Sequence, residues 1–170
     1  MPRLHVCSLS RIGDVVRQTG AQSLVTLLSP GTKIVRPEEI AAERHLNLGV
    51  SDIVEPAVGQ VYPETHHIDE LLLFFRGWDR KAPMLIHCFA GVSRSTASAF
   101  IAACALNPKR DEHDIAAALR AASPTATPNA RFVALADERL QRNGRMSAAI
   151  QSIGRGADCF EADPFVLELG

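Results

Sequence analysis

Apolar and polar residues follow two different periods along this chain. Residues 24–28 and 84–86 form nearly continuous apolar runs of strand length. Such runs are typical of strands that are buried on both faces of a parallel sheet. Between Pro63 and Gly77, by contrast, apolar residues recur every three or four positions, which is the period of an amphipathic helix. The alternation of the two patterns predicts an α/β fold in which helices flank a central, mainly parallel sheet of four to five strands.

Helix-breaking residues divide the chain into the elements of this fold. Asn107-Pro108 and Ser123-Pro124 interrupt the apolar pattern after the central strand, so they separate successive helices. The predicted strands are residues 4–9, 23–28, 46–50 and 82–87. The predicted helices are residues 11–19, 37–44, 63–77, 94–106, 111–122, 129–142 and 146–153. Near the end of the chain, Phe160 and residues 165–167 are expected to dock on the body of the protein.

Length and charge limit the function classes. The 170 residues are 46% hydrophobic, which suits a single domain (1–170) with residues 144–170 as a docked C-terminal extension. A net charge of −1 provides no broad basic field for nucleic acid and no polybasic patch for a membrane. No signal peptide or bilayer-length apolar segment is visible, so we expect a cytoplasmic protein. The sequence carries no signal for an oligomeric state.

The four cysteines fit a reducing compartment. Cys7, Cys88, Cys104 and Cys159 are too widely spaced for a Cys-x-x-Cys metal knuckle and too few for a secreted disulfide framework. Cys7 lies in the first predicted strand and Cys104 in a predicted helix, so both are interpreted as buried, inert thiols.

One group of residues has the composition of a metal site but not its spacing. His66, His67 and Asp69 lie within four positions of each other in a predicted helix. Adjacent residues of a helix point to different faces, and no further ligand follows at a suitable interval. We therefore expect no metal and no cofactor.

The most informative segment is His87-Cys88-Phe89-Ala90-Gly91-Val92-Ser93-Arg94-Ser95. A strand here feeds a short loop that opens a helix, an arrangement that directs backbone N–H groups and the positive end of a helix toward one point. Arg94 can bind two oxygens of a tetrahedral anion with its planar guanidinium. The same positive field favours the thiolate of Cys88, which is the nucleophilic form of a cysteine. Gly91 allows the backbone to bend inward without a Cβ.

This pattern, His-Cys-x-x-Gly-x-x-Arg-Ser, resembles the phosphate loop of the cysteine-dependent protein tyrosine phosphatases. The interior Ala-Gly-Val-Ser-Arg-Ser is most similar to the small dual-specificity branch of that superfamily. The resemblance implies metal-free hydrolysis of phosphomonoesters through a phosphocysteine on Cys88. It also implies that the phosphate is bound by Phe89, Ala90, Gly91, Val92, Ser93 and Arg94.

The resemblance gives roles to the two residues that flank this loop. Ser95 would stabilise the departing thiolate when the phosphocysteine breaks down, although a serine at the start of a helix also fits a capping role. His87 would order the loop and tune the thiol, or would be an ordinary core histidine at the end of a strand. It is not expected to act as the general base.

The reaction also needs an acid that protonates the leaving oxygen. Asp52 is the best candidate, because it follows the strand at residues 46–50 in a turn-prone loop, and the family takes its acid from an upstream loop of this kind. Glu55 and Asp69 are the substitutes. Asp69 fits less well because it belongs to a helix whose register serves packing. Asn129 is interpreted as a helix cap.

The expected substrate is a phosphorylated protein or a small phosphomonoester, with phosphotyrosine as the leading assay substrate. The loop lacks the lysines that similar lipid phosphatases carry, which weakens the case for an inositol lipid, but an inositol phosphate stays open as an alternative. A non-catalytic phosphate-recognising module is a second alternative. A rhodanese or arsenate reductase is a third, for which a resolving cysteine near Cys88 would be expected and is absent from the sequence.

Overall fold

A five-stranded sheet forms the centre of the structure, a computed structural model that describes residues 2–170. In chain order the strands are β1 (Arg3–Ser8), β2 (Ser23–Leu28), β3 (His45–Gly49), β4 (Met84–Cys88) and β5 (Phe165–Glu168). Their order across the sheet is β3-β2-β4-β1-β5. The first four strands are parallel, and β5 pairs antiparallel with β1. The predicted α/β fold with a mainly parallel sheet is confirmed.

The strand that carries the candidate nucleophile lies in the middle of this sheet. All five residues of β4 are buried, as are all six of β2. Ile86 of β4 has Val25 of β2 on one side and Val6 of β1 on the other. Because β4 is hydrogen-bonded along both edges, Cys88 at its end is held in a fixed position.

Within residues 2–170, six α-helices cover the two faces of the sheet unequally. They are α1 (Ile12–Thr19), α2 (Thr65–Gly77), α3 (Arg94–Leu106), α4 (Glu112–Ala122), α5 (Ala130–Arg139) and α6 (Arg145–Ile153). Helix α1 packs Ile12, Val15 and Val16 against one face. Helices α2–α6 contribute to the larger core on the opposite face.

Helix α3 is the centre of the larger core. Every residue from Arg94 to Cys104 is buried, because α2, α4, α5 and the sheet all pack around it. Its alanine and serine side chains are small enough to allow this close approach on every side. A helix buried all round cannot shift easily, so Arg94 in its first turn has a fixed place relative to β4.

Residues 37–44 do not form the predicted helix. The N–H of Ile40 donates to the carbonyl of Pro37 at 3.0 Å in a turn, and only Ala42–Arg44 form a short 3₁₀ helix. Ile40 is the only buried residue among these eight. One apolar contact does not offset the cost of starting a helix of this length.

Helix α5 also ends earlier than predicted, at Arg139 rather than at residue 142. Gln141 and Asn143 adopt φ values of +56° and +55°, and this left-handed conformation ends a helix. The turn allows the Asp137 carboxylate to cap α6 by accepting hydrogen bonds from the N–H groups of Gly144 at 2.7 Å, Met146 at 2.7 Å and Ser147 at 3.2 Å.

The C-terminal residues differ from the prediction in one respect. Residues 165–167 lie in the edge strand β5, where Leu167 is buried opposite Leu4. Phe160, which was expected to dock on the body, is instead 87% exposed. Its neighbours Glu161 and Ala162 are hydrogen-bonded to other segments, so the backbone is held while the ring stays in solvent.

A buried ion pair joins the ends of three helices. Glu112 Oε1 accepts a hydrogen bond from Arg142 Nη1 at 2.8 Å, and the two side chains are 6% and 9% exposed. Arg142 Nη2 also donates to the carbonyl of Cys104 at 2.9 Å. Burial acts to raise the pKa of Glu112, but the hydrogen bond from Arg142 and the charge of Arg145 hold this pKa below its ordinary value. The pair therefore fastens α3 to the start of α4 and to the turn before α6.

We expect Glu112→Ala to lower the free energy of unfolding by about 3 kcal/mol, because it leaves the Arg142 guanidinium buried without a counter-charge. The matched control is Asp69→Ala, which removes a pair between Asp69 and Arg139 whose side chains are 44% and 50% exposed. That change is expected to cost less than about 1 kcal/mol. Urea denaturation followed by circular dichroism measures both. Equal losses in the two variants would contradict the role given to the buried pair.

Candidate active site

The loop of residues 89–93 lies at the carboxyl edge of the parallel strands, where ligands bind in open α/β sheets. It leaves β4 at Cys88 and enters α3 at Arg94. Ser8, the last residue of β1, lies beside Cys88 in the sheet, and Ser29 follows the last residue of β2 at the same edge. The ends of three neighbouring strands therefore surround this loop, and the Cys88 thiol is buried at its base.

Four carbonyl groups of the loop accept hydrogen bonds from three different segments of the chain. The bonds are Leu9 N–H to Phe89 O at 3.1 Å, Ala162 N–H to Ala90 O at 2.9 Å, Thr127 N–H to Val92 O at 2.9 Å and Asn129 N–H to Ser93 O at 3.2 Å. In a planar trans peptide the N–H points opposite to the preceding carbonyl. The N–H groups of residues 90, 91, 93 and 94 are therefore turned toward the inside of the loop.

These inward N–H groups are available to a ligand. Within residues 2–170, none of the N–H groups of residues 89–94 donates a hydrogen bond to a protein acceptor. Several unpaired donors directed to one point at a helix start form an anion-binding site, because each gains most when it meets a negative oxygen. The predicted phosphate-binding loop therefore has the local geometry that binding requires.

Gly91 is required by the fit of this loop against β1. Its φ is +74°, and a Cβ at this position would lie 3.0 Å from the backbone carbon of Cys7 and 3.0 Å from the backbone nitrogen of Ser8. Backbone atoms of a central strand cannot move away, so a larger residue would displace the loop.

Arg94 is held by two acceptors that both bind its Nη1. The buried guanidinium donates from Nη1 to the carbonyl of Val50 at 3.0 Å and to Ser29 Oγ at 3.4 Å. Its Nε is also buried, and among residues 2–170 it has no hydrogen-bond partner. An unpaired buried donor is costly, and an oxyanion in the loop is the ligand that would satisfy it.

The candidate nucleophile has a single hydroxyl neighbour. Cys88 Sγ lies 3.1 Å from Oγ of Ser95, and both side chains are buried. Ser95 lies in the first turn of α3, so its hydroxyl reaches the sulfur from the side of the helix. A hydroxyl at this distance donates a hydrogen bond to a thiolate, which is the role that the sequence pattern implied for Ser95.

His87 takes part in a chain of hydrogen bonds behind the loop. Its Nδ1 lies 3.2 Å from the carbonyl of Cys88, so Nδ1 carries the proton and donates it. Nε2 then accepts from the Thr26 hydroxyl at 2.8 Å, and Thr26 in turn accepts from Nε2 of His45 at 2.7 Å. Burial lowers the pKa of His87 to about 4, although the bond to the Cys88 carbonyl opposes this. His87 is therefore neutral near pH 7 and positions the end of β4.

Asp52 lies directly beside the loop of residues 89–93, the predicted phosphate loop. Its Oδ1 accepts hydrogen bonds from the hydroxyl of Ser93 at 2.7 Å and from Nδ2 of Asn129 at 2.9 Å. The carboxyl group is exposed and lines an open cavity of about 570 Å³ together with Glu55 and Ser93. Asp69, the third candidate acid, lies instead on α2, where its Oδ1 accepts a hydrogen bond from Arg139 Nε at 2.7 Å. The structure thus brings Asp52 and Glu55 to the rim of the loop, with Asp52 bonded to the loop itself.

Asn129 has a second function that its sequence position did not reveal. Its Oδ1 caps α5 by accepting from the N–H groups of Arg131 at 3.0 Å and Phe132 at 3.1 Å, as a cap should. Nδ2 of the same amide group donates a hydrogen bond to Asp52.

Sequence analysis also missed four groups that surround the loop: Thr26, Ser29, His45 and the carbonyl of Val50. A partial signal existed for Ser29 alone, because it directly follows a buried strand at the same sheet edge.

The remaining titratable groups do not form a second site. Burial raises the pKa of both Cys7 and Cys104 to about 12, which fits the interpretation of these two thiols as unreactive. His67 accepts a hydrogen bond from the N–H of Glu64 at 3.0 Å at the start of α2. Across residues 2–170 no three His, Cys, Asp or Glu side chains are grouped to hold a metal ion. In the same range no helix is both long and apolar enough to cross a bilayer.

Comparison with known proteins identifies the fold. No protein-family model and no curated protein sequence matches the chain. Human DUSP28 is 20% identical, with 82% of this chain and 94% of that chain covered and a TM-score of 0.59. A mouse dual specificity phosphatase complexed with zinc tungstate is 19% identical, with coverage of 88% and 86% and a TM-score of 0.62. The human tyrosine phosphatase-like serine/threonine/tyrosine-interacting protein is 18% identical, with coverage of 82% and 92% and a TM-score of 0.64. The chain has the fold of the small dual-specificity phosphatases, as its phosphate loop predicted.

The neutral state of His87 makes stability depend on pH. Above about pH 6.5 His87 is neutral both folded and unfolded, so it has no effect on the pH dependence. Between about pH 6.5 and the folded value of about 4, only the unfolded chain binds the proton. Stability is therefore lost as the pH falls through this window, by about 3 kcal/mol in total.

We expect His87→Asn to flatten the loss of stability between pH 6.5 and pH 4. The asparagine amide can still donate to the Cys88 carbonyl but does not titrate. Urea denaturation at half-unit pH intervals gives the slope for each protein. His5 and His67 also have lowered pKa values because they are buried, and they remain in both proteins. His45 is bonded to His87 through Thr26, so the difference in slope measures His87 together with its effect on His45. Identical slopes would show that His87 is charged in the folded protein.

Proposed function

We propose that this chain, which has the fold of the small dual-specificity phosphatases, hydrolyses phosphomonoesters through a phosphocysteine on Cys88. One observation carries the proposal. The loop that joins Cys88 to Arg94 turns the N–H groups of residues 90, 91, 93 and 94 inward, and the buried Nε of Arg94 at its other end has no partner among residues 2–170. A nucleophile at the base of an oxyanion site is the arrangement that phosphoryl transfer needs.

The first half of the reaction transfers the phosphoryl group to sulfur. The thiolate of Cys88 attacks phosphorus, an S–P bond forms and the P–O bond to the leaving group breaks. The loop N–H groups and Arg94 bind the three non-bridging oxygens, whose negative charge they stabilise in the transition state. Asp52 donates a proton to the leaving oxygen, so that a neutral alcohol or phenol departs.

The second half returns the enzyme to its starting state. Asp52, now a carboxylate, accepts a proton from water as the water oxygen attacks phosphorus. The S–P bond breaks, inorganic phosphate forms and the electron pair stays on sulfur. The Ser95 hydroxyl, 3.1 Å from Cys88 Sγ, donates a hydrogen bond to this departing thiolate.

A phosphorylated protein is the proposed substrate class, with phosphotyrosine foremost. The side chains of loop residues 89–93 carry no positive charge, so the loop offers no contact to the additional phosphates of an inositol phosphate. Turnover is favoured over a non-catalytic phosphate-recognising module because nucleophile, arginine and serine are all present, with the Ser95 hydroxyl 3.1 Å from Cys88 Sγ.

We expect Cys88→Ser to abolish turnover of a phosphotyrosine peptide while tungstate still binds, because the hydroxyl keeps the shape of the site but is a poor nucleophile at neutral pH. Tungstate is the chosen ligand because it is a tetrahedral oxyanion. The matched control is Cys159→Ser at an exposed cysteine, which should leave the rate unchanged. Activity should also survive EDTA. Turnover near the wild-type rate in Cys88→Ser would refute the covalent mechanism.

We expect Asp52→Asn to lower kcat by about 10² to 10⁴ on phosphotyrosine, whose leaving oxygen needs a proton. The loss on p-nitrophenyl phosphate should be smaller, because its leaving group departs as an anion. The alkaline limb of the pH–rate profile should disappear, since this limb reports deprotonation of the acid. The control is Glu55→Gln, which alters the other carboxylate of the same cavity. If Glu55→Gln rather than Asp52→Asn removes the limb, the roles of the two residues are exchanged.

A further inference from the structure

The segment that follows α6 crosses the rim of the phosphate loop and is fixed on both sides of it. On one side the N–H of Gly156 donates to Thr127 Oγ1 at 3.0 Å. Gly156 packs so closely that a Cβ would lie 2.4 Å from the carbonyl carbon of Thr125. On the other side the N–H of Ala162 donates to the loop carbonyl of Ala90 at 2.9 Å. Residues 156–162 therefore cannot be a loose tail.

Glu161 anchors the same segment to the end of β1. Its carboxylate accepts hydrogen bonds from the hydroxyls of Ser8 and Ser10. Both bonds lower the pKa of Glu161 below its ordinary value, and the bond from Ser10 has the larger effect. The carboxyl group therefore stays anionic. A negative charge is thereby held at the mouth of a site whose floor attracts anions.

Two phenyl rings lie exposed in this region. Phe160 is 87% exposed and Phe89, the residue after Cys88, is 56% exposed. Together with Leu9, Ser10 and Glu161 they line a cavity of about 340 Å³. The backbone on both sides is held, since Phe89 O is bonded to Leu9 N–H and Ala162 N–H to Ala90 O. Exposed aromatic rings beside a reactive site are typical of a binding surface.

The occupant of this cavity follows from its position beside the loop of residues 89–93. Phe89 belongs both to this loop and to the cavity lining, so a group that is bonded to a phosphate in the loop and extends toward the Phe89 ring would enter the cavity. A planar aromatic group gains most from two exposed rings, because aromatic pairs contribute beyond the area that they bury. A second phosphate, by contrast, would meet the charge of Glu161.

We propose that Phe89 and Phe160 form a subsite for the aromatic group of an aryl monophosphate such as phosphotyrosine, with Glu161 rejecting substrates that carry further anionic groups. The inference rests on the proposed function, and it adds the C-terminal segment to the substrate-binding surface. Phe160 and Glu161 are specificity-determining residues in this proposal, and neither performs a chemical step.

Binding of phosphonates tests the subsite without turnover. Phenylphosphonate and methylphosphonate share one anionic head, and neither is hydrolysed by phosphoryl transfer. Isothermal titration gives their dissociation constants for the wild type, Phe160→Ala, Phe160→Leu and Leu73→Ala. Leu73 is the matched control, because it is an exposed apolar residue near Ser23, which begins β2 at the opposite edge of the sheet.

We expect Phe160→Ala to raise the dissociation constant of phenylphosphonate about 3- to 10-fold relative to that of methylphosphonate. Phe160→Leu should recover part of this loss, and Leu73→Ala should leave the ratio at its wild-type value. Glu161→Gln should strengthen the binding of methylenediphosphonate, which carries a second anionic head. Because the Phe160 ring is exposed, its truncation should leave the thermal unfolding temperature unchanged.

An unchanged phenyl-to-methyl ratio in Phe160→Ala would overturn the subsite alone. If Phe160→Ala instead converted a dimer to a monomer in sedimentation without altering the ratio, the cavity would be an interface between two copies of the chain, and the proposal would be wrong. Failure of both phosphonates to bind would remove the subsite together with the proposed function. Binding with the expected ratio but no turnover would retain the subsite and refute only the hydrolysis.

Discussion

Outward anchoring of the carbonyl groups in residues 89–93 is the constraint on which the site depends. Without such bonds, the peptide planes of a short loop would have no fixed orientation, because water can accept a hydrogen bond from an N–H in any direction. Here four carbonyls are bonded to three segments that are distant in sequence, and each bond sets the orientation of the next N–H. The anion site is therefore organised before a ligand arrives, which reduces the reorganisation that the transition state requires.

The remaining contacts keep charge and shape in place around this loop. Gly91 fits against the backbone of β1 with no space for a side chain, so the loop cannot slide along the sheet. The carbonyl of Val50, directly after β3, and the hydroxyl of Ser29, directly after β2, both hold Arg94 through Nη1, so the buried Nε stays available to a ligand. Behind the loop, the Thr26 hydroxyl can donate only once, so the bonds from His45 to Thr26 and from Thr26 to His87 fix both histidine tautomers.

The sequence was sufficient where local pattern decides the structure. The strand, loop and helix around Cys88 were predicted, and the bounds of α3 were correct. The signals for these three elements, which are a continuous apolar run, Gly91 and a run of small residues, follow one another within one short segment of the sequence. The position of Asp52 beside this loop was predicted because the carboxyl ends of parallel strands lie at one edge of the sheet. Prediction failed at residues 37–44, where helix-forming residues had no second apolar contact. The cap formed by Asn129 was predicted correctly, but its bond to Asp52 was missed, as were the bonds of His45 to Thr26 and of Glu161 to Ser8, whose partners lie 19 to 153 residues apart. No local pattern specifies such pairs.

The anchoring of Ala90 by Ala162 has a consequence for the order in which the loop is completed during synthesis. The chain emerges from the ribosome with its N-terminal residues first, so strands β1 to β4 and helix α3 can assemble while residues 156–162 are still being made. Until those residues arrive, the carbonyl of Ala90 lacks its partner and the N–H of Gly91 has no imposed direction. Residues 165–169, which add Leu167 and Leu169 to the larger core, follow later still. The anion site is thus completed among the last contacts of the domain, together with the edge strand β5.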